Sequence, residues 1–242
     1  MADTGDLKSP AKFLACGFES RSWHFSAVSK RAFLFDMDGV LVDNCRYHVL
    51  SWLELAKRYG GRLTEAQVVE WMGAPGRDYV VRMFDGPLSS ERITALVEEK
   101  ERLYRELYRP YLEPRQGLAE LLQQAQAADI PCAVVTGGSR ANVDFILDGI
   151  GLRGYFACVV DSSMYDHGKP APDCYLQAAA KLGVEPHDCT VFEDAVNGIE
   201  SAVAAAMRVV AITGTNDRRT LETAGADLIV DTFDECRLTV LR

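Results

Sequence analysis

Two aspartates two residues apart, Asp36 and Asp38, close the apolar run Ala32-Phe33-Leu34-Phe35 and are followed by Gly39. A buried strand that stops in Asp-x-Asp-Gly delivers two carboxylates to one edge of a sheet. There they repel unless a cation, a shared proton or full solvation separates them. Three later apolar runs also lead into polar groups: Thr136-Gly137-Gly138-Ser139, then His167-Gly168-Lys169-Pro170, then Glu193-Asp194. Asp36, Asp38, Glu193 and Asp194 have one obvious cation among them, Lys169. That excess of carboxylates calls for a divalent ion, and all-oxygen ligation with room for water favours Mg²⁺. Lys169 is then free to meet an anion. Thr136, Gly137 and the backbone N–H groups of a helix start offer a phosphate seat. Metal, ammonium and helix N-terminus together describe a site for a phosphoryl group.

Each signal alone has a plainer reading. Asp-Gly pairs mostly make turns. Thr-Gly-Gly-Ser reads as a loop and cap, Gly-Lys-Pro as a solvated turn, and Glu-Asp as the cap of the next helix. His48 reads equally as a packed helix residue. Lys100 lies in Glu98-Glu99-Lys100-Glu101-Arg102, a run whose ordinary reading is a solvated face. The four clusters stand above these readings because every one follows an apolar run. In an open parallel sheet, ligands bind beyond the carboxyl ends of the strands, so clusters spread over 150 positions converge on one rim.

The elements needed for that convergence are legible. Val49, Trp52, Leu53 and Ala56 share a helical face that Gly60-Gly61 stops. Thr64 caps a segment running to Trp71, Gly73-Ala74-Pro75-Gly76 breaks it, and 79–84 continue as helix. Ser89 or Ser90 opens a further helix with Ile93, Leu96, Val97, Leu103 and Leu107 in phase, closed by Pro110 and Pro114. After this strand-free stretch, apolar runs at 130–135, 156–160, 189–192, 208–212 and 227–230 alternate with helical segments. The pattern predicts βαβ units, a Rossmann-like doubly wound parallel sheet, and an all-helical cap inserted after the first strand. The expected division is a poorly ordered leader over 1–28, a core of 29–43 with 112–242, and a cap of 44–111.

The net charge of −9 argues against nucleic-acid or anionic-membrane binding, which want clustered Lys and Arg. No stretch approaches the ~20 apolar residues of a membrane span, and the first residues lack the apolar core of a secretory signal. Seven cysteines without a C-x-x-C pair fit a reducing cytoplasm.

The motifs resemble those of the haloacid dehalogenase-like phosphotransferases: Phe-Asp-Met-Asp-Gly-Val-Leu-Val-Asp, Val-Thr-Gly-Gly-Ser, Gly-Lys-Pro-Ala-Pro-Asp and Val-Phe-Glu-Asp-Ala-Val-Asn-Gly-Ile-Glu-Ser-Ala. The helical insert is similar to the family's type-one cap. The resemblance implies strand order 5-4-1-2-3 and an aspartyl-phosphate formed on Asp36. It makes Asp38 the acid, then the base. It also implies a metal held by Asp36, the carbonyl of Asp38, Glu193 and Asp194, with Thr136 and Lys169 holding the phosphoryl group and Asn197 supporting the loop. The segment Asn44-Cys45-Arg46-Tyr47-His48 with Trp52 resembles the β-phosphoglucomutase-like branch, in which a His and a cap Lys set the acid/base Asp. His48 and Lys100 match, and Arg77 is expected to reach a substrate hydroxyl or distal phosphate. Two departures count against the mutase's grip on a second phosphate. Thr-Gly-Gly stands where the mutase has Ser-Ala-Ser, and the Gly73-Ala74-Pro75-Gly76-Arg77 loop is a residue longer.

The expected activity is a Mg²⁺-dependent phosphohydrolase for a small phosphorylated metabolite, a sugar phosphate in class, acting as a monomer or weak dimer. The alternatives are β-phosphoglucomutase and a non-catalytic ligand-binding relative, the latter disfavoured by the presence of both aspartates.

Overall fold

The computed structural model describes residues 31–236 and 238, so the leader expectation for 1–28, with Cys16, lies outside the described residues. Six parallel strands form one sheet: β1 (Ala32–Phe35), β2 (Cys132–Val135), β3 (Phe156–Val160), β4 (Cys189–Glu193), β5 (Arg208–Ile212) and β6 (Leu228–Val230). Their order is β3-β2-β1-β4-β5-β6. That is the order the resemblance implied, with β6 added at one edge.

Alternate residues of each strand serve opposite faces, as the pleat requires. Phe33, Phe35, Cys132, Val134, Phe192, Val210 and Ile212 face one layer of helices. Ala32, Leu34, Ala133, Val135, Val191, Val209 and Ala211 face the other. Helices α5 (Leu118–Ala127) and α6 (Arg140–Gly149) cover the first face through Leu121, Leu122, Val143 and Ile146. Helices α7 (Asp173–Leu182), α8 (Val196–Ala204) and α9 (Arg218–Ala224) cover the second through Tyr175, Ala178, Ile199 and Leu221. Both faces are dry, so the strands read as unbroken apolar runs rather than alternating ones. The ring of Phe35 stacks on its register partner Phe192, with centroids 4.4 Å apart and planes 7° from parallel. Burying each such ring contributes roughly 1.5–3 kcal/mol. The pair pins β1 to β4 one residue short of Asp36.

Between β1 and β2 lie α1 (Cys45–Tyr59), α2 (Glu65–Glu70), α3 (Gly76–Met83) and α4 (Ser90–Tyr108). Val49, Trp52, Leu55, Val68, Val80, Met83, Ile93, Leu96 and Leu103 make a cluster of their own. Thr64 caps α2 with the reciprocal Gln67 bond, and Ser89 caps α4. Two helices, α5 and α9, were not part of the sequence expectation. Gly117 at the start of α5 is a weak signal, whereas Asp217 does cap α9, accepting the Thr220 N–H at 2.8 Å. Tyr104 and Tyr108, at the end of α4, join the core cluster of β1 and not the cluster of the insert.

Candidate active site

Three neighbouring strands stop in step. Phe35 stands opposite Val134 on β2 and Phe192 on β4, so Asp36, Thr136 and Glu193 emerge at one rim. The Asp36 N–H donates to the Phe192 carbonyl at 3.0 Å, and the Thr136 N–H to the Val160 carbonyl at 2.9 Å. The two backbones are therefore still held in the ladder where their side chains leave it.

Lys169, carried by the loop between β3 and α7, reaches this rim. Its Nζ lies 2.5 Å from Asp36 Oδ1 and 2.6 Å from Glu193 Oε1. Tyr175 donates to the same Glu193 oxygen at 2.7 Å. The other oxygen, Oε2, accepts the N–H groups of Asp194 and Ala195 at 3.0 and 3.2 Å. Glu193 is thus fully occupied by donors from its own chain. The resemblance places it among the metal ligands, and the same side chain also serves Lys169 and the turn into α8. Asp194 has Oδ2 bonded by the Thr215 hydroxyl and its carbonyl by Asn216.

Oxygens of Asp36, Glu193 and Asp194 lie within 4.8 Å of one another, and all three residues are buried. Burial pushes the Asp36 carboxyl well above its ordinary value, reinforced by Glu193, Asp194 and Asp38 and opposed by Lys169. Burial, with Glu193 beside it, raises Asp194 to about 7, against the Thr215 hydroxyl and Lys169. Carboxylates held this reluctantly charged fit a hard divalent cation. Asp36, Glu193 and Asp194 are the side chains that could hold it.

Asp38 is organised from the insert. Burial opposes its charge, yet His48, Asn44 and Lys100 together hold it below the ordinary value. Asn44 Nδ2 donates to Asp38 Oδ1 at 2.5 Å while its Oδ1 accepts the Gly39 N–H at 3.1 Å. Lys100 Nζ sits 2.8 Å from His48 Nδ1. An ammonium only donates, so Nδ1 accepts and the ring proton lies on Nε2. That Nε2 is 3.5 Å from Asp38 Oδ1, and it is the buried side-chain polar atom without a hydrogen-bond partner among the described residues. Lys100 is 3% exposed and so leaves the solvated face that Glu98 and Arg102 of the same run keep. It occupies the position in α4 that the period of Ile93, Leu96 and Leu103 reserves for the buried side.

Thr136 Oγ1 accepts the Gly138 N–H at 2.9 Å, which leaves the hydroxyl proton to donate elsewhere. Gly137 is exposed at the same turn. A Cβ on Gly138 would lie 2.9 Å from Met37 Cε and 3.7 Å from Asp38 Oδ2, so this loop passes directly over the aspartates. Arg77 is exposed in the first turn of α3 and makes no ion pair or hydrogen bond among the described residues. The loop before it does reach the core, since a Cβ on Gly73 would lie 3.3 Å from Asn197 Nδ2.

Sequence reasoning missed Tyr175, Thr215 and Arg115. Arg115 donates to the Gly39 carbonyl and the Thr213 carbonyl, both at 2.8 Å, and so ties the loop after β1 to the loop after β5. No local pattern marks any of the three. Asn44 carried a signal, because it follows Asp43 at the start of an amphipathic run, where Asn favours caps and local bonds.

The haloacid dehalogenase-like hydrolase model matches residues 30–206. The fructose-1-phosphate phosphatase YqaB of Escherichia coli (strain K12) is 33% identical over 177 residues, covering 73% of this chain and 93% of the relative. The β-phosphoglucomutase of Bacillus subtilis (strain 168) is 29% identical over 219 residues, covering 87% and 93%. Among solved structures, a family IA, variant 3 hydrolase from Entamoeba histolytica superposes with a TM-score of 0.79 at 30% identity, covering 86% of this chain and 96% of that one. Motif order, sheet order and these likenesses agree: the chain belongs to the haloacid dehalogenase-like hydrolases, in the β-phosphoglucomutase-like branch.

Proposed function

We propose that the protein is a Mg²⁺-dependent phosphohydrolase for a small phosphorylated metabolite, a sugar phosphate in class, and that Asp36 carries the phosphoryl group between two steps. The observation that carries this reading is the Asp36–Lys169–Glu193 bridge at 2.5 and 2.6 Å. It fixes one oxygen of Asp36 and leaves Oδ2 as the nucleophile. The same ammonium is placed to neutralise a phosphoryl oxygen, beside the Thr136 hydroxyl and the N–H groups of Gly137 and Gly138. A bound Mg²⁺, held by Asp36, the Asp38 carbonyl, Glu193 and Asp194, would supply charge neutralisation at the phosphoryl group.

In the first step the Asp36 oxygen–phosphorus bond forms as the ester bond breaks, and Asp38 gives its proton to the departing alkoxide. In the second, Asp38 takes a proton from water as water attacks phosphorus and Asp36 is released. Asp38 rests as a carboxylate in the free site, and a phosphate dianion arriving beside it raises its affinity for the first proton. The helical insert, residues 44–111, acts as the cap that excludes water from the first step. His48 and Lys100 set Asp38, and Arg77 meets the part of the substrate away from phosphorus. The free thiols Cys45, Cys132, Cys158, Cys174, Cys189 and Cys236 support a reducing cytoplasmic setting, with the enzyme working as a monomer or weak dimer. Among the described residues no helix is long and apolar enough to cross a membrane.

The test is phosphate release from a panel that includes fructose 1-phosphate, hexitol phosphates and β-glucose 1-phosphate, with and without Mg²⁺. Release that needs Mg²⁺ and vanishes in Asp36→Asn is expected. Formation of glucose 6-phosphate from β-glucose 1-phosphate without net phosphate release would make the enzyme a mutase instead.

A further inference from the structure

Glu101, next to Lys100 on α4, has no place in the chemistry above, yet it joins the insert to the core. Its carboxylate is split between two partners. Oε1 accepts from Lys100 Nζ at 2.9 Å, and Oε2 accepts from Asn142 Nδ2 at 2.7 Å. Asn142 is 2% exposed and lies in the first turn of α6. Its own Oδ1 accepts from Arg105 Nη1 at 2.7 Å, so the amide cannot turn over without setting N–H against N–H. Its N–H is capped by Ser139, the last residue of the Thr136-Gly137-Gly138-Ser139 turn. Polar contacts therefore run from the phosphate turn through Asn142, Glu101, Lys100 and His48 to Asp38.

We propose that Glu101 and Asn142 form a latch between insert and core, and that Glu101 is a positioning residue holding Lys100, and through it His48, in register with Asp38. The part concerning Asp38 rests on the phosphohydrolase reading. Lys100 has the ring of Trp52 at 5.2 Å and that of Tyr104 at 5.7 Å, which place its stem but do not aim it. Besides the His48 nitrogen it must serve, Glu101 is the hydrogen-bonded partner that directs its ammonium. Because the other half of that carboxylate is held by the core, the aim of Lys100 depends on the insert being docked.

Exchanging donor and acceptor tests this. Glu101→Gln leaves one donor facing another whichever way its amide turns, either Asn142 Nδ2 or the Lys100 ammonium, and Asn142→Asp sets two carboxylates together. The double variant Glu101→Gln/Asn142→Asp restores one donor facing one acceptor and keeps an acceptor for Lys100 and another for Arg105. Two readouts are taken: turnover with Mg²⁺, and hydrogen exchange of the α4 and α6 amides in the free protein. Fructose 1-phosphate, whose leaving alkoxide needs a proton, is compared with p-nitrophenyl phosphate, whose leaving group does not. Each single variant is expected to lose about tenfold or more in kcat on the sugar phosphate with KM nearly kept. The loss on p-nitrophenyl phosphate should be smaller, and the double variant should return to within about threefold of wild type. Exchange should quicken in the singles and return in the double. Equal losses on both esters, or a double variant no better than the singles in either readout, would overturn the proposal. If wild type hydrolyses no member of the panel above, the phosphohydrolase reading fails, and the exchange pattern alone still decides whether the latch exists.

Discussion

Tyr175 and Lys169 meet on a single oxygen. The phenol and the ammonium both donate to Glu193 Oε1, at 2.7 and 2.6 Å. Glu193 therefore acts as a fixed anion that aims Lys169 at Asp36, and Tyr175 helps hold it there. Burial, with Glu193 close by, pushes the Tyr175 hydroxyl well above its ordinary value, so it remains a donor at every working pH.

Replacing Tyr175 with Phe removes one donor from a buried carboxylate. The expected loss is about 1–3 kcal/mol of stability, read as a fall of roughly 2–4 °C in melting temperature per kcal/mol. Activity should survive within about tenfold, since Lys169 keeps both of its partners. A melting curve unchanged from wild type would show that the phenol does not hold Glu193.

The two aspartates should separate by size of effect. On the proposed mechanism Asp36→Asn removes the nucleophile, and the expected cost is about 10⁴-fold or more in kcat. Asp38→Asn leaves attack on phosphorus in place and removes proton transfer, an expected cost of about 10²–10⁴-fold. The Asp38→Asn loss should shrink on p-nitrophenyl phosphate, and steady-state kinetics on that ester and on a sugar phosphate would show it.

Magnesium should stabilise the protein more as pH rises. Burial, with Glu193, lifts Asp194 to about 7 from its ordinary 3.8. The folded metal-free chain then binds a proton more tightly than the unfolded one. That contribution to stability is complete below the unfolded value and is lost as pH climbs from about 4 to about 7. A cation takes the proton's place, so the gain in melting temperature on adding Mg²⁺ should be larger at about pH 8 than at about pH 5.5. Equal gains at the two pH values would contradict the assignment of Asp194 as a ligand.

Gly198 is the tightest point in the wall of the site. A Cβ there would overlap the carboxylate of Glu193. Gly198→Ala must displace Glu193 and with it the aim of Lys169. Overpacking of this kind costs about 1–3 kcal/mol. Activity is expected to fall by about 10²-fold or more, beyond what misfolding explains, because the ammonium loses its direction. Circular dichroism beside kinetics would separate the two effects.

The strand-end clusters were legible because a buried parallel strand is apolar until it stops, so Asp36, Thr136 and Glu193 stand out at the boundary. The order of the sheet followed from the resemblance, and the Phe35–Phe192 register realises it. Lys100 was obscured by its neighbours. Glu98, Glu99 and Arg102 on either side suggest a wet face, and the helical period that puts Lys100 beside Leu96 and Leu103 carries less weight by eye. Tyr175, Thr215 and Arg115 could not be found locally. Each acts on a group far away in the chain, as Arg115 does on Gly39, and only the folded sheet brings the partners together. Glu193 shows the reverse case: its place in the motif is plain, but the count of donors already on its two oxygens appears only in three dimensions.

The place of β1 in the middle of the sheet, between β2 and β4, bears on how the enzyme is made. β1 precedes β4 in the chain, with the whole helical insert, β2 and β3 between them. A chain cut before β4 carries Asp36 without the two acidic residues that share its cluster, so the pocket is complete only when both halves of the sheet are in place.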